Sequence, residues 1–175
     1  MKEWLPSANW DPVLTVRRAV PADARAIART YVDCWRRAYA GILPASYLAG
    51  LSYEAFERHW KRTLSTGGWA FVSEVEGRIV GVASGGRSRR PRLGRGEIYV
   101  LYVDENWQGR GIGRCLFDAC HYELAVRRCS GLVVWVLAAN PARGFYERLG
   151  GVLADENTLE IAGVPLREVA YVWPD

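Results

Sequence analysis

The stretch Glu97-Ile98-Tyr99-Val100-Leu101-Tyr102-Val103-Asp104-Glu105-Asn106-Trp107-Gln108-Gly109-Arg110-Gly111-Ile112-Gly113 decides how the rest of the chain is read. Glu97 to Val103 is rich in β-branched and aromatic residues and reads as a strand. A polar connection, Asp104 to Trp107, leads into the glycine-rich turn Gln108 to Gly113. Beyond it Leu116, Phe117, Cys120 and Leu124 share one face of a helix. Strand, glycine turn and helix start aim several unpaired N–H groups at one spot, where the helix N-terminus adds partial positive charge. The glycines let a ligand approach the main chain closely, so the stretch predicts an anion cradle for a phosphate or diphosphate.

Two common cradles fit poorly. A P-loop needs Lys and then Ser or Thr after its last glycine, whereas Gly113 is followed by Arg114 and Cys115. A dinucleotide fingerprint needs its glycines directly after the strand and an acidic residue about 20 positions on. Here four residues intervene, and the next strand, Leu132-Val133-Val134-Trp135-Val136-Leu137, carries no acid.

Gln108, Gly111 and Gly113 do occupy the fixed positions of Gln/Arg-x-x-Gly-x-Gly/Ala, a motif that follows a strand and opens a helix in the GNAT N-acetyltransferases. Leu101-Tyr102-Val103 before it, with Asn140 and Phe145-Tyr146-Glu147-Arg148-Leu149-Gly150 after it, extend the match, and the chain resembles that family from Val16 to Trp173. The resemblance implies an α/β GNAT fold: a mixed central sheet with helices on both faces and a splayed parallel strand pair. It implies acetyl-CoA as cosubstrate and no metal. The pyrophosphate would lie on Gln108, Gly109, Arg110, Gly111, Ile112, Gly113 and Arg114, and the pantetheine would run along the main chain at Leu101, Tyr102 and Val103.

Acetyl transfer to an amine needs a proton acceptor for the ammonium, a donor for the carbonyl oxygen, and an acid for the leaving thiolate. The resemblance assigns the acid to Tyr146 and the oxygen donor to a main-chain N–H near Leu101. Glu97 is the candidate base, because strict alternation puts Glu97, Tyr99, Leu101 and Val103 on one strand face; a surface glutamate at a strand end is the alternative. Asn140 resembles the asparagine that contacts the pantetheine arm, but stands one residue closer to the Phe-Tyr pair than is usual, and helix capping is an equal alternative.

At 175 residues the chain is the length of one domain, read as an extension over 1–13 and the acetyltransferase domain over 14–175. The apolar runs are only strand-length and Met1 to Pro6 lacks a signal core, so no membrane partner and a cytoplasmic location are expected. Cys34, Cys115, Cys120 and Cys129 show no metal or disulfide spacing and read as reduced, small apolar residues. The net charge of +4 is too mild for a nucleic-acid partner, although Arg87, Arg89, Arg90, Arg92 and Arg95 cluster between two strands. That cluster reads as a solvated loop or as an attractor of phosphates or an acidic substrate. His59 and His121 stand isolated on helices.

The remaining pattern predicts a strand over 13–18, a helix opened by Pro21, a second helix capped by Ser52, a hairpin about Glu76-Gly77, a short helix ending near Gly150, and a closing hairpin about Gly163. The early helix pair resembles the acceptor side of the family, which makes Trp35 and Tyr39 pocket candidates, with plain core packing as the alternative. The expected function is direct transfer of acetyl to a primary amine of a small molecule or peptide. A module that holds acyl-CoA without turnover is the competing reading. A homodimer is compatible with the family, and the tail bearing Trp4 and Trp10 would suit an exchange between copies.

Overall fold

The computed structural model describes residues 14–173; the expected extension, with Trp4 and Trp10, lies outside the described residues. Along the chain run β1 (Leu14–Arg18), α1 (Ala24–Ala38), α2 (Ala45–Ala49), α3 (Tyr53–Ser65), β2 (Ala70–Val75), β3 (Arg78–Arg87), β4 (Gly96–Val103), α4 (Ile112–Val126), β5 (Leu132–Leu137), α5 (Arg143–Arg148), β6 (Val152–Ile161) and β7 (Val164–Trp173). The strands form one sheet in the order β1-β2-β3-β4-β5-β7-β6. Only β4 and β5 run parallel, joined by the crossover helix α4. This is the mixed sheet that the sequence predicts.

Local chemistry explains most boundaries. The Ser52 hydroxyl accepts the N–H of Ala55 at 3.1 Å and starts α3. Glu76 and Gly77 both have positive φ, the geometry that joins β2 and β3 in a tight hairpin. β6 begins at Val152, earlier than its polar run Asp155-Glu156-Asn157 suggests, because it is an edge strand with one covered face and one exposed face. The short helix α2 is absent from the sequence reading, since five residues show no period. Arg36 of α1 holds α2 in place. Its guanidinium donates to the carbonyls of Leu48 (3.1 Å), Ala49 (3.3 Å) and Leu51 (2.9 Å), and to the Tyr53 hydroxyl (3.0 Å), which in turn donates to Asp33 at 2.5 Å.

The core has two faces and an annex. On one face Leu116, Phe117, Cys120 and Leu124 of α4, with Tyr146 of α5, pack against Ile98, Val134 and Val136. On the other, Ile27, Ala28 and Trp60 of α1 and α3 pack against Val72 and Val82. The annex joins Val32, Tyr39 and Leu48 to Leu137 of β5 and to the β6–β7 ribbon. Full burial of one such large apolar side chain contributes about 1.5–3 kcal/mol. Cys34 and Cys120 are buried as expected, and burial pushes the Cys34 thiol up to about 12. Cys129 is half-buried and packs against the α4 core, whereas Cys115 is exposed, so the apolar reading fails for Cys115 alone. His59 and His121 are both exposed. No described helix is long and apolar enough to cross a membrane.

A bulge in β4 positions the site. Ser84 pairs with Val100 and Gly85 with Ile98, leaving Tyr99 as the extra residue. The bulge overturns the strict alternation expected from Glu97 to Val103. Leu101 and Val103 pack with Ile98 in the α4 core, whereas Val100 and Tyr102 pack with the α1–α3 core. Glu97, next to Ile98, therefore faces the α1 side and not the side of Leu101.

Arg36→Ala removes every tie between α1 and the carbonyl end of α2. It is expected to lower the unfolding free energy by about 1–3 kcal/mol, measured as a reduced urea midpoint; an unchanged midpoint would show that α2 is held by Leu48 packing alone.

Candidate active site

The parallel pairing of β4 with β5 covers only Gly96–Leu132, Glu97–Val133 and Ile98–Val134. Beyond it the strands part, and Trp135 to Leu137 pair only with β7. Asp104 N–H donates to the Val80 carbonyl at 2.8 Å. The two-residue period of the ladder then turns the main-chain groups of Val100 and Tyr102 toward β3, and those of Leu101 and Val103 into the gap. The Val103 carbonyl is taken by Gln108 Nε2 at 2.9 Å. Gln108 thus braces the turn against the strand with its side chain, while its N–H donates to Glu105.

The turn at the mouth of the gap has the form expected of an anion cradle. Gly109 and Gly111 have φ of 73° and 80°, which residues with a Cβ rarely adopt. Gly111 is the N-cap of α4, with no side-chain cap and no acidic residue in the first turn. Among the described residues, the N–H groups of Gly109, Arg110, Gly111, Ile112, Gly113 and Arg114 donate to no protein acceptor; the next, Cys115 N–H, bonds Gly111. Six successive unsatisfied donors at an uncapped helix start fit a diphosphate. Gly113 packs closely on another element: a Cβ there would meet the Phe145 ring at 3.2 Å, and the ring would have to give by a few tenths of an ångström. The Ile112 side chain is buried in the core, leaving only its main chain to the cradle. The Arg110 guanidinium lies over the Trp107 ring at 4.7 Å and Arg114 pairs with Asp118 at 3.6 Å, so both arginines flank the cradle.

At the inner end of the gap three tyrosines from three elements come together. The hydroxyls of Tyr39 and Tyr102 are 3.1 Å apart. Tyr146, buried against Tyr171 and Trp173, acts electrostatically on Tyr102 and is acted on by Tyr39. Burial pushes the Tyr146 hydroxyl above the usual phenol range, and it makes no hydrogen bond among the described residues. It is a protonated donor with its proton unassigned, the state a general acid needs. Asn140 Oδ1 accepts the Ala142 N–H at 2.9 Å in the turn before α5, and burial pushes the neighbouring Tyr39 hydroxyl above the usual phenol range, with Tyr102 and Asn140 pulling the other way. Asn140 thus closes the turn ahead of α5 and does not cap the helix itself, whose N-cap is Ala142 without a side-chain cap. Tyr39 is buried and Trp35 half-buried beside it at 4.8 Å between ring centroids. Tyr102 was expected to act only through its main chain; nothing in the local sequence shows that its hydroxyl would reach α1.

Glu97 is fully buried, and its carboxylate is bound by Arg89 through the main-chain N–H (2.9 Å), Nε (2.8 Å) and Nη2. Position and residue type agree with a base, yet the carboxylate is committed to the arginine loop. The loop as a whole lies over the sheet. Arg90 covers the Trp135 ring at 4.1 Å and reaches Glu168 at 3.4 Å, and Arg92 pairs with Asp155. Asn157 Nδ2 donates to the same Glu168 at 3.1 Å. A separate hollow of about 380 Å³, lined by Glu156, Asn157, Thr158 and Arg167, lies on the β6–β7 ribbon, with Glu156 and Arg167 paired to each other at 2.7 Å.

Cradle and gap have the form that an acyl-CoA-dependent transferase needs, and known proteins show the family. The profile of the acetyltransferase (GNAT) domain family matches residues 66–150. The chain is 39% identical over 165 residues to the uncharacterized N-acetyltransferase YuaI of Bacillus subtilis (strain 168), covering 93% of this chain and 94% of that one. A GCN5-related N-acetyltransferase from Rhodopseudomonas palustris superposes with a TM-score of 0.71 at 26% identity, covering 93% of this chain and 95% of the other. YncA of Salmonella typhimurium, a putative acetyltransferase solved with acetyl-CoA, has the same fold at 22% identity, with a TM-score of 0.71 and coverage of 93% and 94%. The chain belongs to the GNAT family and is an N-acetyltransferase.

Gly111→Glu puts a negative charge and a Cβ at a positive-φ position in the cradle. Affinity for CoA is expected to fall by about 10-fold or more, read by isothermal titration; undiminished affinity would move the coenzyme elsewhere. Arg89→Ala leaves a buried carboxylate short of its partner, and a stability loss of about 1–3 kcal/mol is expected from urea unfolding.

Proposed function

We propose that the protein moves an acetyl group from acetyl-CoA directly to a primary amine of a small molecule or peptide, with both substrates bound together. One observation carries this reading: the unpaired donors of Gly109 to Arg114 lead, through the gap that opens after Ile98, to the unpartnered Tyr146 hydroxyl. The diphosphate would sit on those donors. The pantetheine arm would pair with the gap-facing main chain of Leu101 and the N–H of Val103, whose carbonyl Gln108 already takes, and this brings the thioester toward Tyr146 and the Tyr39–Tyr102 pair.

The chemistry follows from that placement. The amine nitrogen attacks the carbonyl carbon, and the oxygen gathers negative charge opposite a main-chain N–H of β4 that faces the gap. Collapse breaks the carbon–sulfur bond and expels a thiolate, which takes a proton from Tyr146. The nitrogen sheds one proton on becoming an amide, and that proton returns the Tyr146 phenolate to phenol, so the coenzyme leaves as its thiol and the count closes. Glu97 can accept that proton only when Arg89 withdraws from it. Cys34 and Cys120 are buried with raised thiol pKa values, which argues against an acyl-enzyme on either.

Tyr146→Phe removes the hydroxyl without breaking a hydrogen bond, so the fold is expected to stand. Acetyl-CoA-dependent thiol release should lose about 100-fold in kcat with the acetyl-CoA KM nearly unchanged. An unaltered kcat would remove Tyr146 from the acid role.

A further inference from the structure

Past the inner end of the gap, the sheet face that packs on α1 carries a row of three side chains. Leu137 of β5 packs with Tyr39 on that face. The two-residue strand period puts Trp135 on the same side. The register sets Glu168 of β7 across from Leu137, and Asn157 of β6 across from Glu168. A guanidinium is already seated on this row. Arg90 lies over the Trp135 ring at 4.1 Å and reaches Glu168 Oε1 at 3.4 Å, and Asn157 Nδ2 donates to the same oxygen at 3.1 Å. An aromatic face with a carboxylate beside it is what an organic cation needs to leave water.

The occupant belongs to a segment without regular structure, residues 88–95. The segment is closed at its ends, where the Ser88 N–H donates to the Arg95 carbonyl and the Arg95 N–H to Ser130, both at 2.8 Å. Inside it the bonds of the Arg90 main chain are local: its N–H donates to Ser88 Oγ at 3.1 Å, and its carbonyl accepts from Leu93 at 3.1 Å. The Arg90 guanidinium is therefore held on the row by Trp135 and Glu168 alone. Its side chain is 33% exposed, so rotation of that side chain, with the backbone in place, empties the row. The space left between Trp135 and Glu168 is the space of a guanidinium, which fixes the size of what can enter.

The charges choose the sign of the ligand. Arg89, Arg90 and Arg92 are matched one for one by Glu97, Glu168 and Asp155. An acid approaching the row meets arginines that are already neutralised. A cation that displaces Arg90 gains both the Glu168 carboxylate and the Trp135 ring.

Resting on the acetyl-transfer reading above, we propose that Trp135, Glu168 and Asn157 form a cation subsite of the acceptor groove, that Arg90 fills it in the free protein, and that the acceptor carries a second organic cation, a guanidinium or ammonium, which displaces Arg90. Trp135 stands one strand from β4 and Glu168 two. Strand spacing then puts the second charge roughly 5–10 Å from the reacting nitrogen, within reach of a four-carbon stem. Trp135 and Glu168 set the preference among acceptors; Arg90 competes with them.

The test uses the whole protein with acetyl-CoA and four amines on one four-carbon stem: butylamine, 4-aminobutyrate, 1,4-diaminobutane, and agmatine, whose far end is a guanidinium. Agmatine and diaminobutane are expected to show kcat/KM about 10-fold or more above butylamine, with aminobutyrate lowest. Glu168→Gln keeps an acceptor for Asn157 and should bring agmatine down to the level of butylamine. Arg90→Ala should lower the agmatine KM about 3-fold or more and leave the acetyl-CoA KM unchanged. Isothermal titration of agmatine into the CoA complex reads the subsite without turnover and should follow the same order: Arg90→Ala tightest, Glu168→Gln weakest. Butylamine or aminobutyrate used as well as agmatine, an equal fall for butylamine in Glu168→Gln, an unchanged agmatine KM in Arg90→Ala, or no agmatine binding to the Arg90→Ala complex would each overturn the proposal. Agmatine bound in a Glu168-dependent way, with no amine acetylated, would uphold the subsite and overturn the acetyl-transfer reading beneath it.

Discussion

The structure depends on a pairing that stops. β4 and β5 share three residue pairs and then separate, in the middle of a sheet that is otherwise laddered from edge to edge. An unfilled main-chain position inside a sheet is costly in a folded protein, because buried N–H and C=O groups are almost always satisfied. The bulge at Tyr99 and the divergence after Ile98 leave Leu101 and Val103 facing a space that only an extended ligand can complete. The pantetheine of acetyl-CoA, with its two amides, has the right chemistry. Helix α4 sits across the same gap, so the unpaired strand and the unpaired helix start open at one mouth.

The two ends of that passage have opposite electrostatic character. At the mouth, donors and a helix dipole favour negative charge, and nothing acidic interferes. At the inner end, buried hydroxyls disfavour charge of either sign. The division suits a coenzyme whose charges lie at its diphosphate and whose reacting end is neutral. The arginine loop belongs to neither end. Arg87, Arg89, Arg92 and Arg95 are exposed, as a solvated loop would have them, while Glu97, Glu168 and Asp155 fasten Arg89, Arg90 and Arg92 across β4, β7 and β6.

How much of this was legible depends on where the information lies. The cradle was readable because it is written in backbone conformation: Gly109 and Gly111 sit at positive φ, and a helix must start after them. The strand order near α4 was readable for the same reason, since a strand, a crossover helix and a strand admit one hand. Glu97 was misplaced on its face because one extra residue, Tyr99, reverses everything beyond it, and no residue type announces a bulge. Helix α2 was hidden because its stability comes from Arg36 on another element. The meeting of Tyr39, Tyr102 and Tyr146 is tertiary: they lie just past the end of α1, on β4 and on α5, and only the folded chain brings them together.

The central claim is that the coenzyme fills the gap between β4 and β5 with its diphosphate on the start of α4. Amide hydrogen exchange, followed residue by residue with and without CoA, measures this directly. Slowed exchange concentrated at Gly109 to Arg114, Leu101 and Val103 is the result predicted; unchanged exchange there, with protection at another surface, would contradict it.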